Sequence, residues 1–508
     1  MRWLTACLVL FAASAAEAAP RDWVEANKGA ILAEYTQLLA IPNVASNRDD
    51  IRRNAGHIVA MMENRGLSPR LLESEGGKAP PLIYGEWLVP GAKRTIILYA
   101  HYDGQPVTEE AWKVTEPFAP KLLSDRPDRG GGELTPASML GGIADDWRLY
   151  ARSASDDKAG VMAIITAVEA LKAEKKRPSF NLKIVLEGEE EAGSPNLEGL
   201  LRRHRALLAS DGWIIIDGPA HQSGPKQLTL GVRGDVNVDV TVYGPARPLH
   251  SGHYGNWAPN PAMMLAELLA SMKDEAGQVT IAGWYDDVAP LSAAEKAAIA
   301  AVPAADEALK RELALGWTEG GGAALTELIM RPSLNINGMR SADVGAQASN
   351  VVPTVAAATL DLRLVKGNDP DRQVAKLVRH IRAQGYEVLD REPTLDERRR
   401  SPKVVTVKAE PGYPAERVAI DDPLVGDLWE ALRSDGALVL LPSSGGSLPL
   451  YLIRQELGVP SVVLGLWNHD NNQHAEDENI RLGHLWAGIA AVAAVMTSPA
   501  AGRARAGR

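Results

Sequence analysis

Four short runs of consecutive apolar residues stand out along the chain: RTIILYA (94–100), NLKIVL (181–186), GWIIID (212–217) and PSVVLGLW (460–467). Each is rich in β-branched residues and leads into polar or turn-prone ones. Solid apolar runs of this length suit strands covered on both faces. Helical patterns lie between them, DDKAGVMAIITAVEALKAE and SPNLEGLLRRHRALLAS, and two more precede the first run, DWVEANKGAILAEYTQLLAI and RRNAGHIVAMMENRG. The alternation predicts an α/β fold, a mixed and mostly parallel sheet flanked by helices.

Between residues 231 and 412 the pattern changes. VNVDVTVYG and AAATLDLRLV alternate apolar and polar positions, as strands do in an antiparallel sheet with one covered face. An Ala-rich helical stretch and a Gly-rich break, EGGGAAL, lie in the same region, and PSVVLGLW then returns to the first pattern. The expected organisation is one domain made of residues 20–230 and 413–498, with an α+β domain, 231–412, inserted between its halves. A disordered tail is expected at 499–508.

The first residues match neither pattern. MRWLTACLVLFAASAAEAAP has one Arg, a short apolar core, then small residues up to Ala16-Glu17-Ala18. That is the form of an export signal, residues 1–18, and predicts a periplasmic or secreted protein. Its apolar core is too short to span a membrane. Cys7 is the only cysteine, so the chain after cleavage has no thiol, and any metal site must use His and carboxylates. With 45% hydrophobic and 23% charged residues and a formal net charge of -10, the composition is that of an ordinary globular protein. No basic block offers a surface to nucleic acid.

The residues at the end of each apolar run carry the chemistry. RTIILYA leads into His101-Tyr102-Asp103, and NLKIVL into Glu187 and then Glu189-Glu190-Glu191. GWIII leads into Asp217, and PSVVLGLW into Asn468-His469-Asp470 and then His474. Ser155-Asp156-Asp157-Lys158 opens a predicted helix. Open α/β sheets bind ligands at the carboxyl ends of their strands, so these groups are expected at one edge. Three successive glutamates repel one another, and divalent cations make such crowding tolerable. Imidazoles and carboxylates without thiolates suit Zn²⁺, and could also hold Mn²⁺ or Co²⁺. Two imidazoles and three carboxylates suffice for two metals that share a carboxylate, roughly 3.5–4 Å apart. A glutamate left off the metals could then act as general base and acid.

Each piece alone has an ordinary structural explanation. Acids favour the first turn of a helix, Asp156-Asp157 could cap one, Asp217 could start a turn before Gly218-Pro219, and His474 could be a surface residue. These explanations fail together, because independent coincidences would have to fall on one sheet edge.

Further motifs extend the pattern: HYDGQPV (101–107), ARSASDDKAG (151–160), EGEEEAGS (187–194), IIIDG (214–218), RPLHSGHYG (247–255), ASNVVPTVAAATLDLRLV (348–365), SSGGSLPL (443–450) and QHAEDENI (473–480). In order and content they resemble the co-catalytic zinc peptidases that include carnosinase, carboxypeptidase G, aminoacylase and succinyl-diaminopimelate desuccinylase. The pattern is most similar to the dipeptidase and carnosinase branch. The resemblance implies two Zn²⁺ per chain, with His101 and Asp217 on one, Glu191 and His474 on the other, and Asp156 bridging. It makes Glu190 the general base and leaves Glu189 as a solvated or supporting acid. Asp103 would steady the site, and a cis peptide is expected at Asp156-Asp157.

The resemblance also makes the inserted domain a lid and a homodimer surface. His250 would reach the partner subunit's site to stabilise an oxyanion. Arg363 would pair with the substrate's terminal carboxylate, helped by Asn350 and by the backbone around Gly445, Gly446 and Ser447. Ser153 and Ala159 stand where the family has glycine, which leaves the local backbone open. The expected activity is hydrolysis of dipeptides or short peptides with a free carboxylate. The alternatives are an N-acyl amino-acid hydrolase with the same metal site, and an exported non-catalytic metal- or ligand-binding protein, against which the intact Glu190 argues.

Overall fold

The computed structural model describes residues 20–503, and the export signal read at residues 1–18 lies outside the described residues. Of the strands in the two large sheets, six precede the inserted region: β1 (Arg70–Leu72), β2 (Leu82–Trp87), β3 (Thr95–His101), β4 (Asn181–Glu187), β5 (Gly212–Ile215) and β6 (Lys226–Thr229). Five lie within it: β7 (Gly234–Tyr243), β8 (Ser333–Arg340), β9 (Val355–Leu364), β10 (Glu387–Leu389) and β11 (Val404–Ala409). Two more, β12 (Leu438–Leu441) and β13 (Ser461–Gly465), come after it.

The main sheet has eight strands in the order β1-β2-β4-β3-β5-β13-β6-β12. The four apolar runs are its neighbouring strands β4, β3, β5 and β13, all mutually parallel. From Ile96 onward every residue of β3 is buried, as is every residue of β5 and β13. This two-sided burial is why the sequence shows solid apolar runs. One face is covered by the helices Arg21–Leu39, Lys158–Ala173 and Leu482–Thr497, through residues such as Leu38, Ile164 and Ile489. The other is covered by Leu197–Arg203 and Leu450–Leu457, through Leu200, Leu201 and Ile453 against Tyr99 and Trp213. Each large apolar side chain so enclosed contributes about 1.5–3 kcal/mol.

The inserted domain has a five-stranded sheet, β8-β9-β7-β11-β10, antiparallel except for the β10–β11 edge pair. Along β7 the residues Val236, Val238, Val240 and Val242 point inward and their neighbours do not. They pack with Leu265 and Leu268 of the helix Pro261–Ala270 and with Leu377 and Ile381 of Pro370–Ala383. One covered face therefore yields the period-two pattern. The chain enters and leaves this domain side by side, Gly231–Val232 pairing with Glu416–Arg417. A Cβ at Gly231 would lie 2.1 Å from the Glu416 carbonyl oxygen, so only glycine allows this close crossing.

Of the stretch expected to be a disordered tail, residues 499–503 are described and 504–508 lie outside the described residues. Ala500 and Ala501 are buried, and Gly502 packs against Ser179. No helix among the described residues is long and apolar enough to cross a membrane.

Candidate metal-dependent active site

The carboxyl ends of β3, β4 and β5 and two loops deliver the ionisable groups to one place. His101 ends β3, the Glu189–Glu191 run comes just after β4, and Asp217 just after β5. His101 Nε2 lies 3.0 Å from Asp156 Oδ1 and 3.9 Å from Asp217 Oδ2. His474 Nε2 lies 3.1 Å from Asp156 Oδ2 and 3.3 Å from Glu191 Oε2. Asp156 thus faces one histidine with each oxygen. His474, and not His469, reaches the cluster. Ligand atoms of His101, Asp157 and Asp217 lie within 4.8 Å of one another, as do those of His101, Asp156 and Glu191. Asp157 is also committed to the backbone. It accepts from the His101 N–H at 3.2 Å and, as N-cap of the Lys158–Ala173 helix, from the Gly160 N–H at 3.1 Å. The Asp156-Asp157 peptide is cis.

The electrostatics are those of a site built for positive charge. Burial pushes the Glu191 carboxyl up to about 8, and the charge of Asp156 adds to the rise. Burial, then Asp156, pushes Asp217 up to about 6. Glu190 and Asp157 are raised well above the carboxylate range by burial first and neighbouring acids second. Burial works the same way on Asp156, but the bonds from His101 and His474 outweigh it and hold this group below its usual range. Asp156 raises His474 to about 9. Raised carboxyls beside raised imidazoles mark a crowded, buried acidic cluster in which positive charge is favoured. Divalent cations would supply that charge, and the donor set of nitrogen and carboxylate oxygen fits them.

Supporting residues fix this cluster. Asp103, fully buried, accepts the backbone N–H groups of Glu190 and Glu191 at 3.1 Å each, one on each oxygen. Glu190 is thereby aimed by its backbone, while among the described residues no hydrogen bond or ion pair reaches its carboxylate. Glu189 is buried and supporting, not solvated, and accepts from the Asn196 N–H at 2.9 Å and its Nδ2 at 3.0 Å. Gln105 Nε2 donates to Glu191 at 2.7 Å.

Glu478 is the functional residue that sequence reasoning missed. Its Oε1 accepts from Ser155 N, Ser155 Oγ and Asp156 N at 2.9, 3.0 and 2.9 Å, and its Oε2 from Ser153 N and Arg152 Nη1 at 2.9 Å each. One buried carboxylate thus organises the loop that carries Asp156. Its place four residues after His474 was the only available signal, and an acidic stretch such as AEDEN hides it.

Ser153 resolves the question left by the missing glycine. It takes φ 61°, the left-handed region that favours glycine. Its hydroxyl accepts from Asn43 Nδ2 at 2.9 Å, and a Cβ on Gly104 would come within 2.3 Å of it. Gly104 makes the room that Ser153 uses.

The residues expected to hold substrate fall into two groups. Arg363 on β9 donates from Nη1 to Ser447 Oγ at 3.0 Å and from Nε to Asp361 at 3.1 Å, so it links the inserted domain to the loop before Leu450. Gly445 and Gly446 lie in that loop, and the Gly446 carbonyl accepts from the Arg233 N–H at 3.1 Å. His250 and Asn350 are neighbours of each other, the Asn350 carbonyl accepting from Ser251 N–H at 2.9 Å. Among the described residues no hydrogen bond or ion pair joins them to the metal cluster of their own chain.

Residues 97–498 match the model of peptidase family M20/M25/M40. The chain is 26% identical over 371 residues to the Cys-Gly metallodipeptidase dug1 of Schizosaccharomyces pombe, covering 70% of this chain and 73% of that protein. It is 28% identical over 407 residues to the Beta-Ala-His dipeptidase of Homo sapiens, covering 79% and 74%. Its fold superposes with a TM-score of 0.73 on an M20 family metallo-carboxypeptidase from Sulfolobus solfataricus, 27% identical, over 92% of this chain and 99% of that one. The match begins within β3 and ends beyond the Leu482–Thr497 helix, so it takes in the whole acidic cluster, and the chain belongs to peptidase family M20/M25/M40.

Proposed function

We propose that this peptidase is a metal-dependent dipeptidase acting on dipeptides or short peptides with a free C-terminal carboxylate. The observation that carries the reading is the gathering of His101, Asp156, Glu191, Asp217 and His474 at one sheet edge, beside a Glu190 carboxylate that no group among the described residues engages. The two dipeptidases named above support the substrate class.

In this reading His101 and Asp217 would hold one Zn²⁺, Glu191 and His474 would hold the second, and Asp156 would be shared; Mn²⁺ or Co²⁺ suits the same donors. The bound pair supplies Lewis acidity toward the scissile carbonyl and acidifies water. Glu190 takes the proton of the attacking water and gives it to the leaving nitrogen, a task its raised proton affinity favours. Asp103 keeps Glu190 and Glu191 in register through their N–H groups. Arg363 and Ser447 receive the terminal carboxylate, with Asn350 and the N–H groups of Gly445, Gly446 and Ser447 completing the hold.

The reading includes a homodimer, since His250 must come from a partner subunit to reach the oxyanion. Exposed Trp257, Ile336 and Met339 offer apolar surface on the inserted domain for that contact. It also includes export by the N-terminal leader, which N-terminal sequencing of the mature protein tests.

The test of the function is hydrolysis of a panel of dipeptides and N-acetyl amino acids, after chelation and after Zn²⁺, Mn²⁺ or Co²⁺ is restored. Metal-dependent dipeptide cleavage that Glu190→Gln abolishes is the expected result. Cleavage of the N-acetyl series alone would select the amino-acid acylase alternative.

A further inference from the structure

Tyr413 stands where the inserted domain, its partner domain and the substrate-binding loop meet. It lies on the segment by which the chain leaves the inserted domain. Its N–H donates to the Asp235 carbonyl at 3.0 Å, and the Asp235 N–H donates to the Tyr413 carbonyl at 3.1 Å. Its ring stacks on Tyr451 of the Leu450–Leu457 helix, with centroids 5.4 Å and planes 7° apart. The backbone is therefore fixed by one domain and the ring by the other.

This double anchoring puts the phenol in a defined place. Ser447, Asp235, Arg363 and Glu190 are all near enough to the phenol to act on its charge. Ser447 is the residue that accepts from Arg363 Nη1. Arg363 is a compromised receptor for an anion. Its Nε is bound to Asp361 at 3.1 Å and lies 3.8 Å from Asp235, so two carboxylates offset its charge. A neutral donor beside it strengthens anion binding without drawing those carboxylates closer.

We infer that Tyr413 is a substrate-positioning residue whose hydroxyl, held beside Ser447 and Arg363 by the stack on Tyr451, donates to the terminal carboxylate of the peptide. This rests on the proposed reading of the substrate as a free-carboxylate peptide. It adds a donor on the segment that joins the two domains.

The test compares wild type, Tyr413→Phe and Arg363→Ala on a cleavable dipeptide and on the same dipeptide as its C-terminal amide. Phe keeps the stack and removes only the hydroxyl. Tyr413→Phe is expected to raise KM for the acid about tenfold, the effect of one hydrogen bond to a charged group, with kcat nearly unchanged and KM for the amide unmoved. The free amino-acid product, used as a competitive inhibitor, should weaken by the same factor, a binding readout independent of turnover. If Arg363→Ala fails to separate acid from amide, the free-carboxylate reading itself falls. If Arg363→Ala separates them but Tyr413→Phe shifts both substrates equally or neither, the role assigned to Tyr413 is overturned.

Discussion

Replacing Glu478 by Gln should loosen the metal loop while leaving every expected metal ligand in place. The carboxylate is 1% exposed and accepts five hydrogen bonds. An amide can accept on one side only. If its NH₂ faces Arg152 and Ser153, two donors meet a donor and Arg152, 3% exposed, loses its counter-charge. If it faces the other way, Ser155 N, Ser155 Oγ and Asp156 N lose their acceptor. Breaking a buried ion pair by removing one partner costs about 3–5 kcal/mol, and the lost backbone bonds fall within that figure because they share one group. Supporting residues of metal sites typically change affinity by about 10–100-fold. Two assays read the effect: thermal unfolding of metal-free protein, and competition for Zn²⁺ against a chromophoric chelator. The expected outcome is a clear loss in both, with Glu478→Asp recovering part of it. A Glu478→Gln protein with wild-type melting and a wild-type chelator curve would refute the argument that this carboxylate holds Asp156 in place.

Asp103→Asn replaces one of the two oxygens that accept the Glu190 and Glu191 N–H groups, and should lower kcat by about 10–100-fold with a smaller change in KM, read by steady-state kinetics. Asp470 binds the fully buried Arg148 at 2.6 Å. Burial alone would raise its pKa, but Arg148 overrides this and holds it well below the usual range. A lowered folded-state pKa gives stability that is present above the unfolded value of about 3.9 and is lost as pH falls below it. Asp470→Asn should therefore destabilise the protein by about 3 kcal/mol at neutral pH and flatten the acid limb of its stability profile, read by denaturation across pH. Lys158 Nζ donates to the carbonyls of Leu38 and Ile41 at 2.9 and 2.8 Å and so fastens the end of the Arg21–Leu39 helix. Lys158→Met should cost about 2 kcal/mol because both carbonyls lose the ammonium donor, with amide exchange rising in that helix before the rest of the domain.

The strands and the chemistry at their ends are legible in the amino-acid order alone. RTIILYA, NLKIVL, GWIII and SVVLG are readable because a strand buried on both faces has no polar position to spare, and β7 is readable because a strand covered on one face alternates. His101, the Glu189–Glu191 run and Asp217 could be placed at one edge because parallel strands all present their carboxyl ends to the same side. The division of labour among the acids emerges only in three dimensions. Glu189, Glu190 and Glu191 are adjacent and identical in type, yet one is held by Asn196, one is left free and one faces His474. Glu478, Gln105 and Tyr413 act across separations of tens to hundreds of residues, and their partners are backbone N–H groups, a carboxylate or a ring face that leave no local pattern. Periodicity records which side of an element is buried. It carries no information about which distant group a side chain meets, because that is set by the closure of loops from different strands onto the same edge.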